Sequence, residues 1–516
     1  NTGLKLLSTE SWLGEYDLTL ALYSQAAGAA YLQGRFDEME HFVEVVLNHA
    51  KTVVDKVQVY DSTIQRYLSQ GNLKEALKIG LEALKLLEVT LIETPSQLDV
   101  ERELNKTAVL LAGREIEDLI NLPKMTAPEP RSAIYILANI VAAANMVSPA
   151  LMILIVCKMV NLSLDYGNAT WSPLSYASYG VILCEVVQDI ELGYKFGKLA
   201  LGLAERLKTK KGSSKALTIF SANVMHRKVH FRKTIPILVD AYQNGVETGD
   251  FEFAGYAASI ICCHSFFVGE SLTQLEQKTA TYSKAIGQIR REIPLNWIAI
   301  LWQTILNLLG RSENPSRLMG SVYDEEQALS HAIAVKDENG IHYFYLNKVI
   351  LCYLFGEYDR AAQIAVLERQ YFEEVTAPIF NFYDSLVLLS LLVEASSSQK
   401  EAMLSCVSTN QEKMQKWAVH APMNYLHKFH LVEAEKARVL GQFFEAEEFY
   451  ERAISGAYEN EFIQEEALAY ELAAKHYLAR GREKIAQTYM KEAHYCYERW
   501  GATAKVKDLE NRYGQF

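Results

Sequence analysis

The 516-residue sequence predicts an all-α fold in which helix pairs stack side by side into an α-α superhelix, without significant β-sheet. The long segments are rich in Leu, Ala, Glu and Lys, which favour helices, and the chain has only 11 prolines and 27 glycines. One glycine-containing motif recurs along the chain. No run alternates apolar and polar residues well enough to predict a strand.

The recurring motif is a glycine that ends one helix, followed by a helix with small residues on one face. In residues 67–84, Gly71 ends the first helix, and Ala76, Gly80 and Ala83 then follow at spacings that share a face. Small side chains let two helices approach closely, as in tetratricopeptide repeats. The spacing departs from the usual period of about 34 residues, which predicts a degenerate array. The same register begins at other glycines: Gly34, Gly249, Gly356, Gly441 and Gly481.

Two proline-containing breaks interrupt the helical pattern. Residues 121–130 carry three prolines, which cannot continue a helix, and residues 310–316 form the second break. We therefore predict three blocks along the chain. They are N-terminal tetratricopeptide-like repeats at 1–125, a central helical block at 131–310, and C-terminal tetratricopeptide-like repeats at 316–516.

Residues 132–157 form an uncharged stretch that is long enough for a membrane span, which takes about 20 apolar residues. Ser148 and Pro149 interrupt the stretch, because serine is a good helix N-cap and proline suits the first helical position. We therefore predict two shorter buried helices joined by a turn, and no membrane span.

The net charge narrows the possible functions of the chain, and its cysteines indicate its cellular compartment. With 51 Lys and Arg against 63 Asp and Glu, the net charge is −12, which makes the chain a poor general binder of nucleic acid. The seven cysteines include no CxxC pair and are irregularly spaced, which argues against a disulfide framework. We expect a cytoplasmic protein that does not bind nucleic acid.

The common catalytic motifs are absent, so we predict no enzyme activity, no catalytic residues, no cofactor and no metal. Gly193–Lys198 resembles a phosphate-binding loop but has the wrong spacing, and we interpret it as a helix with small packing residues. His226 and His230, or His427 and His430, could hold a metal if each pair shared a helix face. Ordinary packing or surface histidines are the favoured interpretation of both pairs.

A candidate partner-binding patch lies at residues 417–438, where aromatic and polar groups come close together in the sequence. Helix packing and capping is the simpler interpretation of the same residues. The candidate side chains are Trp417, His420, Asn424, Tyr425, His427 and Arg438.

Long blocks of the sequence resemble the helical region of large bacterial hybrid signalling kinases, found notably in cyanobacteria. Examples are YDLTLALYSQAAGAAYLQGRFDEME at residues 16–40, ILVDAYQNGVETGDFEFAGYAA at 237–258, and the stretches 417–454 and 460–510. In that family a serine/threonine kinase and a signal-transduction ATPase precede the helical array, and a GAF domain and a histidine kinase follow it. The resemblance implies a sensor and transmission arm, and we expect the chain to be an internal piece of such a protein.

These patterns favour a non-catalytic scaffold that binds a protein or peptide in a concave groove, or contacts neighbouring domains of its own polypeptide. The alternative is a sensor that encloses a small metabolite in a pocket of the helical array. An enzyme on a helical scaffold is the least favoured hypothesis, because no acid–base or nucleophile constellation is visible in the sequence.

Overall fold

Helices make up nearly all of the regular structure, which confirms the all-α prediction. Among the described residues no strand forms, and isolated bridges join Lys124 to Asn168 and Met319 to Asp324. The structure is a computed structural model that describes residues 2–8, 10–208, 210, 212–371 and 376–514.

The helices pack into two compact units, and the division between the units falls between Ala216 and Leu217. In the first unit, consecutive helices pack as pairs, α3 on α4, α5 on α6, α8 on α9 and α10 on α11. The α-helices are α1 (Thr2–Lys5), α2 (Ser11–Gly14), α3 (Tyr16–Leu32), α4 (Phe36–His49), α5 (Val53–Ser69), α6 (Leu73–Leu86), α7 (Gln97–Leu111), α8 (Pro128–Val147), α9 (Pro149–Tyr166), α10 (Ser172–Ile182) and α11 (Ile190–Leu207), and α12 (Ser213–Ile219) crosses the division.

The second unit contains the longer array. Its pairs include α13 on α14, α15 on α16, α18 on α19, α22 on α23 and α24 on α25. The helices are α13 (Thr234–Thr248), α14 (Phe251–Phe267), α15 (Leu272–Gln288), α16 (Glu292–Leu308), α17 (Glu325–Val335), α18 (Glu338–Leu354), α19 (Tyr358–Glu368), α20 (Ala377–Leu391), α21 (Ser397–His420), α22 (Pro422–Val439), α23 (Phe443–Glu459), α24 (Ile463–Ala479), α25 (Glu483–Trp500) and α26 (Thr503–Tyr513).

The motif glycines end helices as predicted. At Gly71 the backbone has a φ of +70°, and the N–H of Asn72 donates to the carbonyl of Tyr67 at 2.9 Å, which closes a Schellman-type helix end. An L side chain rarely adopts this φ, which explains why glycine occupies the position. The same left-handed φ, with the next helix beginning two residues later, occurs at Gly34, Gly249, Gly356, Gly441 and Gly481.

The small residues of the motif are buried in the helix pairs. Ala76, Gly80 and Ala83 of α6 all lie in the core. In α11, Gly193 lies where that helix crosses α10, and a Cβ there would be 2.7 Å from the carbonyl oxygen of Gly180. Gly193–Lys198 is therefore part of a closely packed helix.

The uncharged stretch forms two helices that meet at Ser148, as predicted. The Ser148 hydroxyl accepts a hydrogen bond from the N–H of Leu151 at 3.4 Å, and Pro149 is the first residue of α9. Among the described helices, α9 is long and apolar enough to cross a membrane by length and composition. Because 67% of its apolar window is buried within the fold, α9 has the burial of a core helix.

The compact units differ from the three predicted blocks. The division near residue 216 falls inside the predicted central block, 131–310. At the first proline break, α5 and α6 pack on α8, and α7 packs on α9. At the second break, α16 packs on α18. The two breaks therefore end helices without separating compact units, because the helices on both sides share a core.

In the second unit, the even-numbered helices from α14 to α24 pack successively on one another and form one layer. The layer closes, because the side chain of Gln464 donates to the carbonyl of Phe267 at 2.7 Å and the ring of Trp500 lies 5.9 Å from that of Phe266. From α26, Lys505 Nζ donates to the carbonyl of Leu354 at 2.6 Å. The C-terminal helices thus pack against the first helices of the same unit.

Candidate functional site

The candidate patch at residues 417–438 is mostly internal. Asn424, Tyr425 and His427 are buried. Asn424 Nδ2 donates to the carbonyls of His226 and Val229 at 2.7 and 2.8 Å, and the Tyr425 hydroxyl lies 2.6 Å from His226 Nδ1. These bonds fasten the irregular segment before α13 to α22. The structure therefore places Asn424, Tyr425 and His427 in the core, where they contact other parts of the chain, and partner binding by them stays a prediction.

A buried ionic cluster surrounds His427. The carboxylate of Glu465 pairs with His427 Nε2 and with Lys428 Nζ, the latter at 2.7 Å. Lys428 Nζ also donates to the carbonyl of Asn424 at 2.9 Å. Burial acts to raise the pKa of Glu465, but the charge of Lys428 and the hydrogen bonds with His427 and Lys428 outweigh it and hold this pKa below its usual value. The side chains of His427, Lys428 and Glu465 thus share one charge-assisted network that joins α22 to α24 in the core.

His226 and His230 do not share a helix face, whereas His427 and His430 lie three residues apart on α22, where His427 bonds to Glu465. His226 lies in a short 3-10 turn and bonds to Tyr425, whereas Nε2 of the half-buried His230 lies 2.9 Å from the carbonyl oxygen of Asn460. Among the described residues, no three His, Cys, Asp or Glu side chains form a group that could hold a metal ion.

We expect the free energy of unfolding to decrease as pH falls from about 6.5 to 4, because buried histidines remain neutral only in the folded chain. Burial lowers the pKa of His264 to about 3 and that of His427 to about 4, from the ordinary 6.5. Below pH 6.5 the unfolded chain therefore binds more protons, and each histidine contributes up to about 1.4 kcal/mol per pH unit.

Urea unfolding at a series of pH values measures this slope. The variant His264→Gln removes one titrating group and should give a shallower slope than the parent chain. A parent stability that stays constant between pH 6.5 and 4 would contradict the prediction.

The other three candidate residues retain some solvent exposure. Trp417 and His420 are half-buried at the end of α21, and the Trp417 ring lies 6.4 Å from that of Tyr425. Arg438 lies 14 residues after Asn424 on the same helix, about 21 Å away at 1.5 Å per residue. The structure therefore places Arg438 apart from the other five, and partner binding by the exposed three stays a prediction.

Arg438 lines an open cavity of about 300 Å³, which we call the Arg438 cleft. The cleft lies between helices α19, α20, α22, α23 and α24 and combines charged, aromatic and small side chains. Its lining residues are Tyr358, Ser390, Glu435, Arg438, Phe443, Leu472, Lys475, His476, Ala479 and Arg480.

The charges of the Arg438 cleft are arranged by depth. Arg438 is 29% exposed and donates through Nη2 to Glu435 at 2.6 Å, whereas that carboxylate is only 3% exposed. Lys475 is 27% exposed, and its Nζ lies 2.7 Å from Glu471, which is 3% exposed. The carboxylates thus lie below the cations, and the cations border the solvent.

Each buried carboxylate has more than one donor. Glu471 also pairs with Lys505 at 3.0 Å and accepts from the Tyr497 hydroxyl at 2.9 Å. Burial acts to raise the pKa of Glu471, but Lys475 and Lys505 outweigh it and hold this pKa at about 2. Burial likewise acts to lower the pKa of Lys475, but Glu471 outweighs it and raises this pKa. Both groups are therefore charged at neutral pH.

Sequence reasoning identified Arg438 but missed the rest of the cleft. Counting positions from the motif glycines could have found the other lining residues. Tyr358 and Phe443 both follow such a glycine by two positions, and Glu435 and Lys475 both precede one by six. Stacked repeats bring equivalent positions together, which explains why residues far apart in the sequence line one cavity.

A second cavity, of about 390 Å³, lies within the first unit. Its aromatic wall is formed by Tyr135 and Trp171, whose ring centroids are 5.9 Å apart. The Tyr135 hydroxyl donates to Asp61 at 2.6 Å, and Arg131 also lines the cavity.

No protein-family model matches the chain. The chain is 20% identical over 627 residues to the protein "Hybrid signal transduction histidine kinase G" of Dictyostelium discoideum, and the match covers 97% of this chain and 18% of that protein. The chain thus spans less than a fifth of the length of this relative. A solved circular tandem repeat protein matches with 12% identity over 96% of this chain and 98% of its own, at a TM-score of 0.16, which is too low to carry an argument.

Proposed function

We propose that this chain is a non-catalytic, partner-binding segment of a multidomain signalling histidine kinase. On this proposal the segment is cytoplasmic and tetratricopeptide-like, lies between an ATPase module and the kinase, and relays binding to them. The distant similarity to a hybrid histidine kinase supports the setting. The partner is a segment of another protein or of a neighbouring domain.

The observation that carries the proposal is the Arg438 cleft. It is open to solvent, and its lining combines cations with the aromatic rings of Tyr358 and Phe443. Aromatic and arginine side chains dominate the binding energy of many protein interfaces. An occupant would contact several helices of the array at once. If it bound one arrangement of those helices more tightly than another, it would shift their equilibrium, which is what a relay requires.

Filling the cleft tests the proposal in the full polypeptide. Ala479 is exposed at the end of α24 and lines the cleft, so Ala479→Trp would occupy the cavity without removing a buried contact. We expect this variant to change autophosphorylation several-fold, because it blocks the partner. Ala334→Trp is the matched control, since Ala334 is exposed on α17 outside the cleft lining. Equal autophosphorylation of both variants and the parent would contradict the proposal.

A metabolite sensor is the second candidate function, and the cavity beside Trp171 favours it. Its volume of about 390 Å³ is within the range of small-molecule sites. A thermal-shift screen separates the two functions. Stabilisation by a metabolite would support the sensor, and stabilisation only by peptides or protein domains would support the partner-binding segment.

A further inference from the structure

We infer that the Arg438 cleft takes an acidic peptide segment that carries an apolar side chain beside its carboxylates. The inference rests on the proposed function and adds the chemical class of the occupant.

The cations at the cleft have donors to spare. Arg438 uses Nε and one Nη group on Glu435, and an arginine has five N–H donors. Lys475 bonds to Glu471, and an ammonium group has three donors. Glu435 and Glu471 are each only 3% exposed, whereas Arg438 and Lys475 are 29% and 27% exposed, so the cations are the more accessible groups. A ligand carboxylate is the group that these donors would bind.

Arg480 extends the cationic surface toward the solvent. It pairs with Glu447, which also accepts from Arg482 at 3.2 Å, and its guanidinium lies 4.7 Å from the centre of the Phe443 ring. A guanidinium that packs beside an aromatic ring can still bind a carboxylate through its remaining N–H donors. The cleft lining therefore carries Arg438, Lys475 and Arg480 against one lining carboxylate, that of Glu435.

The net charge of the chain makes this concentration of cations selective. With a formal charge of −12, most of the surface repels an acidic segment. The Arg438 cleft is a local exception, since its deep carboxylates are already paired. Electrostatic complementarity would therefore orient an acidic segment on this cleft and away from the rest of the chain.

An apolar ledge adjoins the cleft and argues for a peptide over a small anion. Leu440 at the end of α22 and Phe443 and Phe444 at the start of α23 are exposed, and Phe444 is 78% exposed. Phe443 belongs to both surfaces, and Arg480 lies over the rings of Phe443 and Phe444. An extended segment could place a carboxylate in the cleft and a neighbouring apolar side chain on this ledge, whereas a free anion would leave the ledge uncovered.

Fluorescence anisotropy with a labelled peptide tests the inference on the purified chain. The probe is a short peptide with glutamates on both sides of a Leu-Phe pair. One matched peptide has glutamine for every glutamate, and a second has serine for Leu and Phe. We expect each replacement to weaken binding about tenfold or more, which corresponds to about 1.4 kcal/mol. Added salt should weaken binding of the acidic peptide, because the cations border solvent.

The protein variants are chosen so that the fold survives. Lys475→Gln leaves Glu471 paired with Lys505, and Arg480→Gln leaves Glu447 paired with Arg482. Both should weaken binding of the acidic peptide about tenfold. Arg452→Gln is the control, because Arg452 carries the same charge and is exposed on α23 outside the cleft lining. Circular dichroism and the melting temperature verify the fold of each variant.

The outcomes separate this inference from the proposed function. Equal binding of the glutamate and glutamine peptides, or loss of binding with Arg452→Gln as great as with Lys475→Gln, overturns the inference. Complete displacement of the acidic peptide by inorganic phosphate at equal concentration also overturns it, because the site would then be a phosphate site. If no peptide binds but Ala479→Trp still alters autophosphorylation, the inference alone fails. If that variant also has no effect, both fail.

Discussion

Replacing Lys428 by methionine should destabilise the chain by about 3–5 kcal/mol, because it leaves a buried carboxylate without its main counter-charge. Lys428 and Glu465 are both buried, and their charged atoms are 2.7 Å apart. Methionine is close to lysine in length and fills the same space. The loss of stability would therefore come from the unpaired buried charge of Glu465 and not from a cavity.

The double variant Lys428→Met/Glu465→Gln is the control for this prediction. It removes both charges and keeps a hydrogen-bonding group beside His427 and the ring of Phe462. We expect it to recover about 2 kcal/mol or more of the loss, since a buried ion pair replaced as a whole costs little. Urea unfolding followed by circular dichroism measures both. The prediction would be contradicted if the free energy of unfolding of Lys428→Met lay within about 1 kcal/mol of that of the parent chain.

Replacing Gly193 by alanine should destabilise the first unit by about 3 kcal/mol, through overpacking where α10 and α11 cross. The new Cβ would lie 2.4 Å from Cys184 Sγ and 2.7 Å from the carbonyl oxygen of Gly180. Backbone atoms cannot give way as the end of a flexible side chain can. The two helices must therefore separate, which exposes apolar surface on both.

Gly28→Ala is a control variant for which we expect the opposite change in stability. Gly28 lies inside α3 of the same unit, and a Cβ built there meets no atom within 4 Å. Gly28→Ala should therefore stabilise by up to about 1 kcal/mol, because alanine is the better helix former. Differential scanning calorimetry of the two variants and the parent compares them directly. A Gly193→Ala variant as stable as the Gly28→Ala variant would contradict the prediction, because the new Cβ would then cause no destabilising overpacking between α10 and α11.

Local sequence rules predicted the helices well but did not predict which of the candidate side chains are buried. A glycine that ends a helix, such as Gly71, acts through its own φ and its neighbours' hydrogen bonds, so its role is visible in the sequence. The Ser148-Pro149 turn is local in the same way. Whether Asn424 or Arg438 faces solvent depends on elements that are distant in the sequence, and no local rule contains that information.

The Arg438 cleft shows the same limit of local sequence rules. Arg438 was among the candidate residues, but its neighbours Tyr358 and Lys475 are distant in the sequence and meet it only through stacking of the repeats. Asn424 looked equally polar and accessible, yet it fastens the irregular segment near His226 to α22. Polar residues on one helix thus divide between core and surface according to what packs against each turn.

The amino-acid sequence alone determined that this protein is an array of helix pairs, because glycine helix ends and small packing residues act over a few positions. Only the tertiary structure decided which charges are buried, how the second unit closes between Gln464 and Phe267, and where a cleft remains. The physical reason is that burial and electrostatic pairing depend on which distant helices meet. Such contacts follow from the summed geometry of many helix pairs and not from any one of them.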